Sequence, residues 1–198
     1  MCGIVGMIAN ENVCEVLLKG LERLEYRGYD SAGIYLANQE ERSLVKAQGP
    51  IKTLTQKITP TMNGTVGIGH TRWATHGIPS EANAHPHRSE HGKVVLVHNG
   101  VIENYQELKA TYLKETKLIG ETDTEVIVNV IEHFIETEGL DVKAAFKKVL
   151  TEIKGSYAFA LIDPTDPTHF YAAKHKSPLL IGCGTNFHLV GSDALAMI

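Results

Sequence analysis

A cysteine stands second in the chain, in the opening segment MCGIVG. A thiolate is a strong nucleophile, and removal of Met1 would give the same residue a free α-amine. The pKa of an α-amine is roughly 7.7–8.0, so an unprotonated fraction is available as a base near neutral pH. The residue types therefore predict an N-terminal nucleophile at Cys2, and a chain that retains Met1 is expected to be inactive. A buried cysteine at the start of an apolar strand explains these two residues equally well.

Four polar clusters follow Cys2 at the ends of predicted strands, where loops commonly carry functional groups. They are YRGYDSAG at 26–33, GHTRWATHG at 69–77, HNG at 98–100 and ETDTE at 121–125. Within the first cluster, Asp30 and Ser31 are expected to be turn and capping residues that hold their own loop. The clusters are far apart in sequence, so only the fold can bring them to Cys2.

The hydrophobic pattern predicts the elements that must position these clusters. Short apolar runs predict strands at 3–9, 32–37, 43–47, 66–71, 94–98, 156–163, 170–174, 179–182 and 187–191. Apolar residues at spacings of three and four predict helices at 13–25, 103–114, 123–137 and 141–154. Thr122 and Glu125 form a capping-box pattern before the third helix. Two β-rich blocks with helices between them, without regular βα alternation, predict an α+β layered fold.

The composition is that of an ordinary globular chain, with 198 residues, 43% hydrophobic and 21% charged, which fits one domain. A net charge of −4 and the absence of a basic block argue against nucleic acid and anionic membrane as partners. No signal-peptide pattern and no apolar run of roughly 18 residues is present, so we expect a cytoplasmic protein. Residues 194–198 look like the start of a further element, so we expect a fragment of a longer protein.

Neither a metal nor a cofactor is expected. The three cysteines are widely spaced without a CxxC pair, which argues against a disulfide framework and a zinc ribbon. The His-Pro-His spacing at 85–87 matches neither HExxH nor a zinc finger, although a metal could be imagined among six histidines. These are His70, His76, His85, His87, His91 and His98. The two Gly-x-Gly segments, at 67–69 and 182–184, lack the third glycine of a dinucleotide site.

The ordered motifs MCGIVG, EYRGYDSAG, HTRWATHG, NAHPH, HNG and ETDTE together resemble the class II glutamine amidotransferases of the N-terminal nucleophile superfamily. The resemblance covers essentially the whole chain and is strongest to the glucosamine-6-phosphate synthase family. It implies an α+β four-layer α/β/β/α sandwich over residues 1–198. It also implies hydrolysis of the side-chain amide of L-glutamine through a γ-glutamyl thioester on Cys2. In the full-length, homo-oligomeric enzyme that the resemblance implies, ammonia would reach a sugar isomerase domain of the same chain and convert fructose 6-phosphate to glucosamine 6-phosphate.

Amide hydrolysis needs a nucleophile, a proton carrier and donors for the developing oxyanion. Cys2 would supply the first two. By resemblance, the side-chain amide of Asn99 and the backbone N–H of Gly100 form the oxyanion hole, and Arg27 organises the site around the nucleophile. Taken alone, Asn99-Gly100 favours a type I′ hairpin turn, and both interpretations could hold at once.

A site for free glutamine also needs partners for its α-carboxylate and α-ammonium groups. Arg72 offers a planar fork for a carboxylate, and Asp123 can pair with the ammonium. A solvated surface charge and a helix-start residue are the ordinary interpretations of these two. The resemblance adds Trp73, Thr75 and His76 to the pocket, in a loop that closes over glutamine and is bracketed here by glycine and proline at 77 and 79.

Two other classes of function stay open at this point. The chain could be an N-terminal nucleophile hydrolase of another amide or the glutaminase domain of another class II amidotransferase. It could also be a catalytically silent binding or regulatory module that senses glutamine or a metal. Arg72 and Asp123 favour a free amino acid as the ligand, because they match the two charges that a peptide amide lacks.

Overall fold

The structure is a computed structural model that describes residues 2–74 and 77–197. Within these ranges it has ten strands. They are β1 (Gly3–Ala9), β2 (Ser31–Ala37), β3 (Arg42–Gln48), β4 (Val66–Arg72), β5 (His87–Arg88), β6 (Val95–Ile102), β7 (Gly155–Ile162), β8 (Tyr171–His175), β9 (Leu180–Cys183) and β10 (Phe187–Gly191). One sheet has the order β3-β2-β4-β1-β10-β9 and the other β5-β6-β7-β8, with every strand pair antiparallel.

Five α-helices are described: α1 (Cys14–Leu24), α2 (Ile51–Thr55), α3 (Tyr105–Tyr112), α4 (Asp123–Glu138) and α5 (Val142–Glu152). The helices α1 and α2 cover the outer face of the six-stranded sheet, and α3, α4 and α5 cover the outer face of the four-stranded sheet. In the described part of the chain, none of the helices has both the length and the apolar character needed to cross a membrane.

Three apolar clusters fill the three interfaces between four layers. Successive side chains of a strand point to opposite faces, so in β1 Val5 packs toward α1 while Ile4 packs between the two sheets. In β7, Ala158 and Ala160 face the other sheet, whereas Phe159 packs against the helices beyond. Each sheet is therefore covered on both faces, and the predicted α/β/β/α sandwich is confirmed.

Most of the predicted elements agree with the structure to within two residues at each end. The sequence pattern missed α2, Ile51–Thr55, and β5, His87–Arg88. A helix of five residues contains little more than one turn, so no helical period can be read from it. A strand of two residues likewise shows no alternation. The strand predicted at 94–98 was too short, because β6 continues to Ile102.

The capping box at the start of α4 is half correct. The side chain of Thr122 accepts a hydrogen bond from the N–H of Glu125 at 3.1 Å, as predicted. The carboxylate of Glu125 does not return to Thr122 but accepts from the N–H groups of Ile119 and Gly120, each at 2.7 Å. The start of α4 is therefore tied to the segment that precedes it, which positions the acidic first turn beside β6.

Candidate active site

The register of the six-stranded sheet places Cys2 beside Trp73. Gly3 pairs with Thr71 between β1 and β4, so Cys2 stands where β4 ends. Its sulfur accepts a hydrogen bond from the backbone N–H of Trp73 at 3.2 Å and lies 3.4 Å from the carbonyl oxygen of the same residue. The thiol is thus held by backbone on one side and only partly buried.

Burial raises the pKa of the Cys2 thiol above its ordinary value, because a thiolate is poorly solvated there. The N–H of Trp73 and the positive charge of Arg72 act in the opposite direction, since both stabilise the thiolate. Burial is the larger effect. The thiol is therefore mostly protonated at neutral pH, and reaction requires a base to take its proton.

The segment His98-Asn99-Gly100 is part of strand β6 and not a turn. These three residues pair with Phe159, Ala158 and Tyr157 of β7, respectively, so the type I′ interpretation is wrong. Gly100 has φ of +133°, and a Cβ at this position would lie 2.1 Å from the backbone oxygen of Ser156. Only glycine fits that backbone.

Strand β5 is short, so it pairs with only the start of one edge of β6. The rest of that edge presents backbone N–H groups to the site. The N–H of His98 donates to Nδ1 of His85 at 3.3 Å, and the N–H of Ile102 donates to Oδ2 of Asp123 at 2.9 Å. In an antiparallel pair the ladder bonds alternate, so Gly100, midway between these residues, directs its N–H to the same edge. Gly100 lines the cavity that also contains Cys2.

The side chain of Asn99 is oriented by two partners. Its Nδ2 donates to the backbone oxygen of Cys2 at 3.1 Å, and its Oδ1 lies 2.9 Å from Nε2 of His70. The same Nε2 lies 3.0 Å from the carbonyl oxygen of His98, so both of its neighbours are acceptors and it must carry the proton. Burial lowers the pKa of His70 to about 3, which keeps this ring neutral.

A layer of buried histidines supports this arrangement. His70 stacks on His85 with 4.2 Å between ring centroids, and His85 meets His87 edge-on at 4.7 Å. Nε2 of His87 lies 2.9 Å from the hydroxyl of Thr122. Burial holds the pKa of His85 and of His87 well below the usual histidine range. We conclude that these rings serve as packed, neutral hydrogen-bonding groups.

Arg72 is buried, with 3% of its surface exposed, so its interpretation as a solvated surface charge is wrong. Its guanidinium donates to the carbonyl oxygens of Gly77 at 3.0 Å and Ile78 at 3.3 Å, and it lies 3.7 Å from Oδ1 of Asp30. Asp30 also accepts a hydrogen bond from the N–H of Ala74. Asp30 therefore holds both the arginine and the loop that follows β4.

Asp123 occupies the first position of α4 and is 4% exposed. Its Oδ2 accepts from Ile102, and its Oδ1 accepts from the N–H of Thr124 at 2.9 Å. Both carboxylate oxygens therefore already accept a hydrogen bond from the protein. Each carboxylate oxygen has two lone pairs, so a further donor can still bind.

Three other predicted residues fall outside the immediate cavity or outside the described ranges. Arg27 donates to the backbone oxygen of Ser192 at 3.3 Å and lies 3.6 Å from Asp193, and it does not line the cavity. It fixes the chain after β10 beside β1, because Ser192 also accepts from the N–H of Ile4 at 2.9 Å. Thr75 and His76 lie outside the described residues.

The indole of Trp73 closes one side of the site. The side chain is 53% exposed and packs on the backbone of Gly28, where a Cβ would lie 2.5 Å from the ring. Gly28 has φ of +93°, a backbone conformation that favours glycine. The cluster 26–33 therefore turns at Gly28, and the missing side chain leaves room for the ring. The cluster 26–33 thereby contributes a surface for Trp73 as well as the carboxylate of Asp30.

The fold brings five of the predicted site residues to one cavity with four others. Its lining residues are Cys2, Arg72, Trp73, His85, His98, Gly100, Thr122, Asp123 and Thr124. About 20 Å³ of this cavity is open to a water-sized sphere, which is the room of about one water molecule. Sequence reasoning placed none of the other four, His85, His98, Thr122 and Thr124, in the glutamine site, although all four lie within the quoted motifs.

The sequence and the fold are similar to those of known proteins. A family model described as a glutamine amidotransferase domain matches residues 70–198. Proteins called glutamine–fructose-6-phosphate aminotransferase [isomerizing] are 58% identical in Streptococcus agalactiae serotype III, 59% in Streptococcus pneumoniae serotype 4 and 55% in Geobacillus kaustophilus. Each of these matches covers all of this chain. It covers only 33% of the relative's length.

A solved structure of similar fold is the glutamine phosphoribosylpyrophosphate amidotransferase from B. subtilis. It superposes with a TM-score of 0.85 and 28% sequence identity, over 99% of this chain and 43% of that chain. The chain described here therefore corresponds to one part of larger proteins in both comparisons.

Proposed function

The chain belongs to the glutamine amidotransferase family, and from this premise we propose that it hydrolyses the side-chain amide of L-glutamine to glutamate and ammonia. One observation carries the proposal. The sulfur of Cys2 shares a small cavity with the Gly100 backbone, Arg72 and Asp123, and the amide of Asn99 lies beside it. This set provides a nucleophile, oxyanion donors and partners for both charges of a free amino acid.

The reaction starts when the thiolate of Cys2 attacks the side-chain amide carbon of glutamine. The negative charge that develops on the amide oxygen is stabilised by Nδ2 of Asn99 and the N–H of Gly100. The carbon–nitrogen bond then breaks, and the nitrogen takes up a proton and leaves as ammonia. Water attacks the resulting γ-glutamyl thioester, releasing glutamate and the Cys2 thiol.

Proton transfer in this scheme falls to the α-amine of Cys2 after removal of Met1. The amine takes the thiol proton, directly or through a water, and passes a proton to the leaving nitrogen. This role agrees with the raised pKa of the thiol, because a buried thiol needs a nearby base. A chain that retains Met1 has an amide nitrogen at this position, which cannot act as a base, and it is expected to be inactive.

Glutamine recognition is assigned to Arg72 for the α-carboxylate and to Asp123 for the α-ammonium group. Trp73, Thr75 and His76 complete the pocket, and Arg27 organises the nucleophile's surroundings through the chain after β10. The cavity is much smaller than the roughly 300–1,000 Å³ of typical ligand pockets. Binding of glutamine therefore requires this cavity to widen. Arg72 also holds the carbonyl oxygens of Gly77 and Ile78, so it would link binding of the α-carboxylate to the position of residues 77–78.

In the whole protein, ammonia would serve the synthesis of glucosamine 6-phosphate from fructose 6-phosphate. This part of the proposal rests on the names of the relatives, of which the chain spans a third. It implies a sugar isomerase domain in the same full-length, cytoplasmic and homo-oligomeric enzyme. Residues 1–198 form the glutamine amidotransferase domain, which would release ammonia without transferring it.

The test combines the intact mass of the purified chain with glutamate release from L-glutamine. Loss of Met1, together with activity that Cys2→Ala abolishes, is the expected result. A processed and folded chain that releases no glutamate, but whose Cys2 is labelled by a glutamine-like electrophile and protected by glutamine, would be a silent binding module. A processed chain with neither activity nor labelling would overturn the assignment of Cys2.

A further inference from the structure

Away from Cys2, three side chains with metal-ligating atoms meet where the turn between β5 and β6 packs on α4. Nδ1 of His91 lies 3.3 Å from Oε2 of Glu132 and 3.1 Å from Oε1 of Glu136. The three ligand atoms all lie within 4.8 Å of one another. Ligands at about 2.0–2.1 Å from a tetrahedral zinc ion stand about 3.3 Å apart. Two of the three spacings therefore already fit coordination of one ion.

Glu132 is the fixed member of this cluster. It is buried, with 3% exposure, and its Oε1 accepts from the hydroxyl of Ser89 at 2.6 Å and from the N–H of Lys93 at 3.1 Å. Its Oε2 accepts from the backbone N–H of His91 at 2.9 Å. These bonds orient the carboxylate as outer hydrogen bonds orient metal ligands. A second lone pair of Oε2 is left for a ligand on the His91 side.

The other two members come from either side of Glu132. Glu136 follows it by one helical turn, so both carboxylates lie on the same face of α4. His91 belongs to the turn between β5 and β6, and its side chain is 60% exposed. One imidazole and two carboxylates suit zinc and similar transition metals, whereas magnesium and calcium favour oxygen ligands alone.

We propose that His91, Glu132 and Glu136 bind a divalent transition-metal ion of the zinc type, with water as the fourth ligand. The ion would tie the turn at 89–93 to α4. The turn at 89–93 leads into β6, which carries Asn99. Glu132 and Glu136 follow the first turn of α4, which carries Asp123. The role inferred is structural, and it does not depend on the proposed reaction at Cys2.

The test uses Co²⁺ and Zn²⁺ on the purified chain. Tetrahedral Co²⁺ absorbs visible light, and thiolate ligation at a cysteine adds charge-transfer bands in the near ultraviolet. The spectrum therefore distinguishes a site of nitrogen and oxygen ligands from a site that includes a cysteine. Zn²⁺ affinity is measured by calorimetry. The variants His91→Gln and Glu136→Gln remove one ligand each at exposed positions. His169→Gln is the matched control, since His169 pairs with a single carboxylate, Asp166, at 2.9 Å.

We expect one Co²⁺ equivalent with a tetrahedral nitrogen and oxygen spectrum in the unaltered chain. The affinity should fall at least roughly tenfold in both ligand variants and stay unchanged in the control. Absence of a tetrahedral spectrum at millimolar Co²⁺, or equal affinity in His91→Gln, would overturn the proposal. The cluster would then be an ion pair between the imidazole and the two carboxylates. Circular dichroism of each variant checks that the fold is retained.

Discussion

Among single residues, Asn99 has a side chain of fixed orientation, as its proposed oxyanion role requires. His70 fixes the amide oxygen, because its Nε2 must carry a proton between two acceptors. The Nδ2 group then has only one orientation and points toward Cys2. A donor that is already oriented stabilises an oxyanion without reorganisation during the reaction. Burial keeps the His70 ring neutral, and the neutral ring holds the side-chain amide of Asn99 in this orientation.

The first prediction concerns this donor. Asn99→Ala removes one of two oxyanion hydrogen bonds, so kcat for glutamate release should fall on the order of 10²–10³-fold with little change in KM. Steady-state glutamate assays on the processed enzyme measure both constants. Asn186→Ala, in the exposed turn before β10, is the control. An unchanged kcat in Asn99→Ala would contradict the oxyanion role.

The second prediction concerns the protonation of Cys2. Burial raises the pKa of its thiol above the ordinary value of 9.0, and only the thiolate reacts with iodoacetamide. The alkylation rate at Cys2 should therefore keep rising with pH beyond 9 and not level off below it. Mass spectrometry of the N-terminal peptide at a series of pH values measures this rate. A plateau below pH 9 would show that the Trp73 N–H and Arg72 outweigh burial.

At the scale of elements, the start of α4 joins the helix to the site. Thr122 caps the helix, Asp123 holds the edge of β6, and Glu125 binds the preceding backbone. Together these contacts place the first turn of α4 at the edge of β6, beyond the end of β5. The helix N-terminus also makes this place favourable for negative charge. Neighbouring residues in one turn therefore cap the helix and place Asp123, the proposed partner of the α-ammonium group, at the cavity.

The third prediction tests that cap. Thr122→Ala removes the hydroxyl that accepts from Glu125 and contacts His87, so the free energy of unfolding should fall by about 0.5–2 kcal/mol. Thr122→Ser retains the hydroxyl and should lose much less. Urea denaturation of both variants measures the difference. If Ser and Ala cost the same, packing of the methyl group and not the cap would be responsible.

At the scale of the whole molecule, three buried histidines connect the candidate site to the packing of the two sheets. His70 comes from β4 of the six-stranded sheet, whereas His87 begins β5 of the other sheet and His85 directly precedes that strand. Their rings stack where the two halves join. Because all three are buried in the neutral form, the assembly of the layers depends on the protonation of histidine.

The fourth prediction follows from linkage. Burial lowers the pKa of each of these histidines in the folded state, whereas the unfolded value is about 6.5. Below that pH the unfolded chain binds more protons, so stability is full above pH 6.5 and is lost as the pH falls. Between pH 7 and 5.5 the loss should be about 1.3 kcal/mol for each histidine, or about 4 kcal/mol in total.

Urea unfolding at the two pH values measures this loss. His87→Gln keeps a group that can bond to Thr122 and should reduce the loss by about a third, because one of three equal contributions is removed. His169→Gln, at an exposed position, should leave the loss unchanged. Equal stability at both pH values would mean that the buried histidines do not control the acid response.

The sequence by itself determined most of the elements, the layered class and five of the nine residues that line the cavity at Cys2. Periodicity is a local property, so long apolar patterns such as that of α4 reveal their helix directly. Motifs such as HTRWATHG carry the family resemblance because their residue types are chemically specific. Short elements such as α2 and β5 contain too few residues for a period, and they were missed for that reason.

The tertiary structure alone decided which partners each site residue has. Asn99-Gly100 favours a turn locally, but pairing with β7 over eight residues keeps it in a strand, because ladder hydrogen bonds and burial outweigh the local preference. An isolated arginine is ordinarily a solvated surface charge, but Arg72 is buried and bonded to the backbone at 77–78. His91 stands 41 residues before Glu132, and no spacing rule joins residues that meet only when a turn packs on a helix. Contacts between distant segments depend on the packing of the layers, which a local pattern does not contain.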